Sequence, residues 1–161
     1  SLGVGKHKLD DIEFGIVKNI PTGDVYTAEK GNGAFYNKKR ISTPNLPDKE
    51  IVFSFSDWNI FQNDIFEFNI YDKFRSLGCA SIEMCMVASG ALDLYVVSEE
   101  YLRVTDIAAA YLIVKEAGGL VTNIKGNKLD LDLNLDNRTS VITSCNIDLI
   151  NRIITRCKDL K

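Results

Sequence analysis

Strand-forming runs separated by turn residues fill the first third of this 161-residue sequence, and this pattern limits the possible folds. Residues 1–5 and 13–20 are β-prone runs on either side of a polar turn, so they predict a hairpin. Residues 24–29 and 34–36 predict a second hairpin, because the Gly31-Asn32-Gly33 turn joins them. The chain therefore begins with antiparallel β-structure.

Strand and helix patterns alternate through the rest of the sequence, after a proline-containing linker at residues 44–47. The predicted strands cover 51–56, 92–97, 120–124 and 140–144. The predicted helices cover 63–74, 81–88, 106–117 and 146–161, with Gly118-Gly119 ending the third and Asn146 capping the last. Together these patterns predict an α+β fold that leads into a layered α/β unit, with a β-hairpin domain over 1–46 and an α/β domain over 47–161.

Composition excludes several classes of function. The 19 basic and 22 acidic side chains give a net charge of −3, which argues against a nucleic-acid partner. No apolar run approaches the ~18 residues that a membrane helix needs, and no signal segment opens the chain, so no membrane partner is expected. Cysteines stand at 79, 85, 145 and 157 with no CxxC pair, which indicates reduced, mostly buried thiols in a cytoplasmic protein.

His7 is the single histidine of the chain and lies in a predicted turn, where we expect it to be solvated. A lone histidine excludes a His-rich zinc site and argues against a Ser-His-Asp triad. The alternating acidic residues over 130–136 faintly resemble a calcium loop, but Leu135 replaces the required glycine and Val141 the final glutamate. We therefore interpret this segment as a polar strand or loop.

Asp106 opens the clearest helix of the sequence and has two interpretations. A carboxylate in the first turn complements the helix dipole and caps free amides. It also suits Mg²⁺, which takes one or two carboxylate ligands in a typical site. The three alanines that follow, at residues 108–110, predict close packing of this helix.

Residues 75–81 form a second candidate site. Gly78 allows the backbone to approach a ligand, and amides at the start of the following helix bind anions. The alternative is an ordinary strand-to-helix turn. Arg103, three residues before Asp106, is a surface arginine by itself but a phosphate clamp beside an anion site.

Four segments, taken in order, resemble the inositol monophosphatase family. They are residues 23–35 (GDVYTAEKGNGAF), 75–78 (RSLG), 105–109 (TDIAA) and 116–119 (EAGG). The sequence is most similar to the archaeal branch, which also hydrolyses fructose 1,6-bisphosphate and carries an arginine where Arg103 stands. The resemblance extends over nearly the whole chain and implies an inositol monophosphatase-like fold.

The resemblance implies a Mg²⁺-dependent phosphatase that acts on a small phosphorylated sugar or polyol. It assigns a metal-ligand role to Asp106, which follows Thr105 where the family has tryptophan. Gly78, Cys79 and Ala80 match the segment that lines the substrate hydroxyls, and Arg103 would contact phosphate. The family's substrate-binding glutamate would correspond to Glu99, with Val97 as the alternative position.

One family motif, Asp-Pro-(Ile/Leu)-Asp-Gly-(Thr/Ser), does not occur in this chain. The sequence resembles the family without its N-terminal portion, so we expect no catalytic group beyond the metal ligand and little or no activity alone. The alternative is a non-catalytic anion-binding or interaction module of the same fold. Without N-terminal helices, a face carrying Phe14, Ile16, Val25 and Phe35 would be uncovered, which predicts a homodimer or association with an N-terminal fragment. The alternative is that residues 1–36 fold back on the second part and cover this face themselves.

Overall fold

A computed structural model describes residues 1–44, 50–56 and 72–158, with the side chains of residues 156–158 left out of the description. Five antiparallel strands follow one another in chain order in the first sheet. They are β1 (Leu2–Val4), β2 (Phe14–Lys18), β3 (Val25–Glu29), β4 (Gly33–Tyr36) and β5 (Lys39–Ile41). A short 3-10 helix, Leu9–Asp11, lies between β1 and β2.

Both predicted hairpins are confirmed, since β1 pairs with β2 and β3 pairs with β4. The β2–β3 pairing joins the two hairpins into one sheet. The sequence did not predict β5, which follows β4 through a tight turn at Asn37 and Lys38. Both turn residues have positive φ, 48° and 67°, as a two-residue hairpin turn requires.

The second sheet is mixed and has the strand order β7-β6-β8-β10-β9. Its strands are β6 (Val52–Phe55), β7 (Lys73–Arg75), β8 (Leu94–Arg103), β9 (Leu120–Thr122) and β10 (Arg138–Ser144). β6 runs parallel to both β7 and β8, whereas β10 is antiparallel to its two neighbours. The helices are α1 (Ala80–Ala88), α2 (Val104–Glu116) and α3 (Ile147–Lys158).

Two sequence-based predictions are corrected here. The helix expected over 63–74 is wrong at its end, because Phe74 lies in β7. The centroid of the Phe74 ring lies 5.6 Å from that of Phe53. Residues 63–71 of the predicted helix fall outside the described residues. The strand expected over 92–97 begins at Leu94 and continues to Arg103. Pairing with β10 extends it, since Leu102 and Arg103 stand opposite Thr139 and Arg138.

The other predicted elements are confirmed within a few residues, including the helices at α1, α2 and α3. Asn146 caps α3, because its Oδ1 accepts a hydrogen bond from the Asp148 amide at 2.7 Å. The predicted linker at 44–47 lies mostly outside the described residues, as do residues 159–161. The boundary between two domains at residue 46 stays a prediction.

The elements stack as sheet, helices, sheet and helix. Side chains of the first sheet, such as Val17 and Tyr26, share one hydrophobic core with α1, α2 and the facing side of the second sheet. The other side of the second sheet forms a smaller core with α3, around Phe53 and Ile150. This arrangement confirms the predicted layering, and it places α1 and α2 side by side.

The predicted close packing of α2 is confirmed at its alanines. A Cβ atom built on Gly15 of β2 would stand 2.8 Å from the carbonyl oxygen of Ala109, so only glycine fits there. Ala108, Ala109 and Ala110 are all buried. Small side chains on the helix and glycine on the strand therefore let the first sheet lie directly on α2.

The acidic segment at 130–136 is an irregular loop, as the polar interpretation allows. The Asn134 side chain organises it, because Oδ1 accepts hydrogen bonds from the amides of Asp136 and Asn137. Lys8 pairs with Asp130 at 2.8 Å and connects this loop to the segment between β1 and β2. Across the ranges that the structure describes, no helix is long and apolar enough to cross a membrane.

Candidate functional site

A cleft of about 280 Å³ lies where α1 and α2 begin. α1 follows β7 through a short turn and α2 follows β8, and these two strands both run parallel to β6. Ligand sites of α/β sheets commonly lie beyond the carboxyl ends of such strands. The lining residues are Ser1, Gly78, Cys79, Ala80, Ser81, Leu102 and Asp106.

The turn before α1 forms one wall of the cleft. Gly78 has φ +67°, a left-handed conformation that suits glycine, and open space surrounds the position where a Cβ would lie. α1 begins at Ala80, and its first hydrogen bond into the cap runs from the Glu83 amide to the Cys79 carbonyl at 3.0 Å. The earlier amides of the first turn have no partner within the helix, so they are available to an anion in the cleft.

Asp106 stands on the opposite wall, in the first turn of α2, with its side chain exposed. Its carboxylate makes no hydrogen bond or ion pair with any residue that the structure describes. The N-cap residue of α2 is Arg103, and its side chain makes no capping hydrogen bond. This geometry argues against the capping interpretation and leaves the carboxylate facing the cleft.

One carboxylate is not a complete metal site. Among the described ranges, no three His, Cys, Asp or Glu side chains come together as a metal centre would require. Asp106 nevertheless fits as a single ligand, since Mg²⁺ is commonly held by one or two carboxylates with phosphate and water completing the shell. The metal role of Asp106 stays a prediction.

The structure brings Gly78, Cys79 and Ala80 together with Asp106 in the cleft, as the sequence predicted. Arg103 and Glu99 are both exposed on β8, but neither is among the cleft-lining residues. Their substrate roles stay predictions. Val97 is fully buried in the core, which removes it as the alternative to Glu99.

Glu83 is the residue of this site that sequence reasoning missed. Its carboxylate is completely buried under the Gly78 turn. Oε1 accepts hydrogen bonds from the Ser54 hydroxyl at 2.5 Å and the Leu77 amide at 2.9 Å, and Oε2 accepts one from the Cys79 amide at 3.2 Å. The available signal was an acidic residue inside an otherwise apolar helical segment.

The cysteines differ in exposure. Cys79, Cys85 and Cys145 are free thiols, but Cys79 is exposed, so the expectation of mostly buried thiols is wrong at this position. Cys85 is fully buried, and burial raises its pKa; burial also raises the pKa of half-buried Cys145. The Cys157 side chain is outside the description. His7 is exposed, as predicted.

The first sheet has an apolar outer face, opposite α2. Leu2 and Val4 of β1 are 57% and 53% exposed, and their partners on β2 are Ile16 and Phe14. Phe14 is 38% exposed. Ile16, Val25 and Phe35 lie on the same face and are half-buried.

Comparison with known proteins identifies the family to which the chain belongs. Residues 3–156 match the model of the inositol monophosphatase family. The chain is 42% identical over 144 residues to the bifunctional NADP phosphatase/NAD kinase of Methanococcus maripaludis, covering 85% of this chain and 25% of that protein. It is 39% identical over 148 residues to the fructose-1,6-bisphosphatase/inositol-1-monophosphatase of Methanothermobacter thermautotrophicus, covering 91% and 53%.

A solved inositol monophosphatase–fructose 1,6-bisphosphatase structure superimposes with a TM-score of 0.79 at 30% identity, covering 91% of this chain and 58% of that one. The predicted inositol monophosphatase-like fold is therefore confirmed. The chain spans a quarter of the first relative and little more than half of the second. With the match to residues 3–156 covering both sheets and both walls of the cleft, the chain belongs to the inositol monophosphatase family.

Proposed function

We propose that this chain is part of a Mg²⁺-dependent phosphomonoester hydrolase of the inositol monophosphatase/fructose-1,6-bisphosphatase type. One observation carries the proposal: the glycine turn before α1 and the Asp106 carboxylate of α2 line the same cleft. The first wall offers amide donors for phosphate oxygens, and the second offers an oxygen ligand for a hard cation. The relatives' names support the same class of reaction.

Each residue has a role in this proposal. The amides of Ala80 and Ser81 bind the phosphate, and Gly78 lets the substrate approach the backbone. Asp106 holds Mg²⁺, which when bound offsets the charge of the phosphate and of the leaving oxygen. Arg103 contacts phosphate from the start of α2, and Glu99 binds substrate hydroxyls.

The chain alone should be inactive or nearly so, because a single carboxylate does not orient an attacking water. We expect no Mg²⁺-stimulated release of phosphate from inositol 1-phosphate or fructose 1,6-bisphosphate. Turnover of roughly 1 s⁻¹ or more, a normal enzyme rate, would contradict this expectation if Asp106→Asn abolished it.

Phosphate binding tests the site itself. In a titration of the ¹⁵N-labelled chain with inorganic phosphate, the amide signals of Ala80 and Ser81 should shift. Mg²⁺ should strengthen binding in the wild type but not in Asp106→Asn. Asp136→Asn is the matched control, since it neutralises an exposed carboxylate outside the cleft and should behave like the wild type. Phosphate shifts elsewhere, with none at this turn, would overturn the proposal.

The rival function is a non-catalytic anion-binding module of the same fold. It shares the anion-binding turn but requires no metal at Asp106. In the same titration, it predicts phosphate shifts at Ala80 and Ser81 that Mg²⁺ leaves unchanged in both the wild type and Asp106→Asn. The effect of Mg²⁺ therefore separates the enzyme-derived site from the binding module.

The proposed substrate is a small phosphorylated sugar or polyol. A second candidate is the phosphomonoester of NADP, and the 42% identity to a relative named as an NADP phosphatase favours it. Competition against phosphate in the titration would rank inositol 1-phosphate, fructose 1,6-bisphosphate and NADP. NAD is the control for NADP, because it lacks the phosphomonoester.

We also propose that the outer face of the first sheet is covered in solution, by a second copy of the chain or by a further protein segment. Exposed Leu2, Val4 and Phe14 stand next to one another on this face. Adjacent exposed apolar side chains on a sheet form an association surface.

A further inference from the structure

We infer that Glu83 is a positioning residue of the cleft, which holds the Gly78 turn in the shape that binds phosphate. This inference rests on the proposed phosphate site at that turn. Glu83 does not line the cleft. It acts from beneath the turn, through the two backbone amides that it binds on either side of Gly78.

The geometry explains why a carboxylate stands here. Three donors converge on Glu83, namely the Ser54 hydroxyl and the amides of Leu77 and Cys79. A carboxylate is an acceptor at both oxygens, so it satisfies all three at once. Hydrogen bonds to a carboxylate are stronger than those between neutral groups. In a buried environment each bond is stronger still, and the loss of one costs more free energy.

These bonds divide the amides of the turn into two groups. Those of Leu77 and Cys79 point down to Glu83 and are not available to a ligand. The amides of Ala80 and Ser81, in the first turn of α1, keep no partner within the helix. Glu83 thus determines which amides face the cleft.

The bonds also hold Gly78 in its left-handed conformation, which has φ +67°. Glycine reaches right-handed conformations equally easily, so the residue itself does not choose this shape. The Leu77 and Cys79 amides flank Gly78, and anchoring both of them to one buried side chain restricts the backbone between them.

Glu83→Gln is the direct test. A glutamine has one acceptor oxygen and an NH₂ group that only donates, so at least one of the three donors loses its partner whichever way the side chain points. We expect hydrogen exchange at the Leu77 or Cys79 amide to accelerate. We also expect inorganic phosphate to bind about tenfold more weakly, the order of one lost hydrogen bond to a charged group.

Glu116→Gln is a matched control. Glu116 also accepts two backbone amides, those of Gly31 and Gly33, each at 2.9 Å, but on a turn away from the cleft. Glu83→Gln should lower the melting temperature at least as much as Glu116→Gln, because Glu83 is fully buried and Glu116 is half-buried, but only Glu83→Gln should weaken phosphate binding. Ser54→Ala is the alternative test if Glu83→Gln fails to fold, because it keeps the carboxylate and removes only one of its donors. We expect this variant to bind phosphate about two- to threefold more weakly than the wild type.

The outcomes separate the two proposals. A wild-type chain whose turn does not respond to phosphate overturns the proposed function, and the positioning role falls with it. A wild type that binds phosphate, with unchanged affinity and unchanged amide exchange in folded Glu83→Gln, overturns the positioning role alone. Equal loss of phosphate affinity in Glu83→Gln and Glu116→Gln would also overturn it, because the effect would then be general destabilisation.

Discussion

Gly15 of β2 lies directly against Ala109 of α2, so that a Cβ atom on Gly15 would stand 2.8 Å from the Ala109 carbonyl oxygen. Gly15→Ala should therefore push the sheet away from the helix and lower the free energy of unfolding by about 1–3 kcal/mol. Gly3→Ala is the control on the neighbouring strand, where a Cβ would meet Ala109 at an ordinary 3.4 Å and should change stability by about 0.5 kcal/mol or less. Urea denaturation measures both, and equal effects would show that the contact does not limit packing.

The Asp10 carboxylate should make the free energy of unfolding depend on pH in the acid range. Burial raises its pKa, but hydrogen bonds from Lys128 and Tyr111 outweigh burial, so the pKa lies below the ordinary 3.8. The Tyr111 hydroxyl donates to Asp10 at 2.5 Å. Because the folded pKa is lowered, this stabilisation is present above pH 3.8 and disappears as the pH falls through the folded value.

Tyr111→Phe removes one of the two bonds and should raise the Asp10 pKa. The difference in melting temperature between wild type and variant should be larger at pH 6 than at pH 2.5. Asp10→Asn removes the titrating group and should also flatten the pH dependence. A difference for Tyr111→Phe that stays constant across this range would show that Tyr111 acts only by packing.

Thiol reactivity should separate Cys79 from Cys85. Cys79 is exposed and lines the cleft, whereas Cys85 is fully buried with a pKa raised by burial. Brief treatment of the folded chain with iodoacetamide at pH 8 should label Cys79 and leave Cys85 unlabelled, because the accessible thiolate is the reactive form. Peptide mass spectrometry reads each site, and saturating phosphate should slow labelling of Cys79. Labelling of Cys85 at the same rate would contradict the packing of α1.

The outer face of the first sheet should make the chain associate. At micromolar concentration, sedimentation equilibrium should give a mass above the 18.0 kDa of one chain, or a co-purifying peptide should cover the face. Val4→Lys places a charge on this face next to Phe14 and should shift the population towards 18.0 kDa. Leu135→Lys, on an exposed loop position, is the control and should leave the mass unchanged. A wild-type chain that sediments as a bare monomer would refute this surface.

The sequence predicted those features whose signals are local. The Gly31-Asn32-Gly33 turn and the starts of α1 and α2 depend on neighbouring residues, so the positions of Gly78 and Asp106 at two helix starts followed from the sequence. β5 was missed because its three residues, Lys39–Ile41, are mostly polar. The second half of β8 was missed because most of its side chains are polar, so the local sequence does not indicate a strand. Pairing with β10 extends the strand there.

Glu83 was missed because its environment is not local. Its partner Ser54 comes 29 residues earlier in the chain, on β6, and only packing of α1 against the second sheet brings the two together. An acidic residue in a helix is usually solvated, and the apolar residues around Glu83 were the one local sign against that default.

β8 ends at Arg103 and α2 begins at the next residue, so no connecting loop separates Asp106 from the second sheet. The facing wall, by contrast, is a glycine turn restrained by one side chain. The two walls of the cleft are therefore held in different ways, one by direct continuity of strand and helix and the other by hydrogen bonds to a buried carboxylate. A substitution at Glu83 would therefore change the geometry of the Gly78 wall, while Asp106 would stay attached directly to the end of β8.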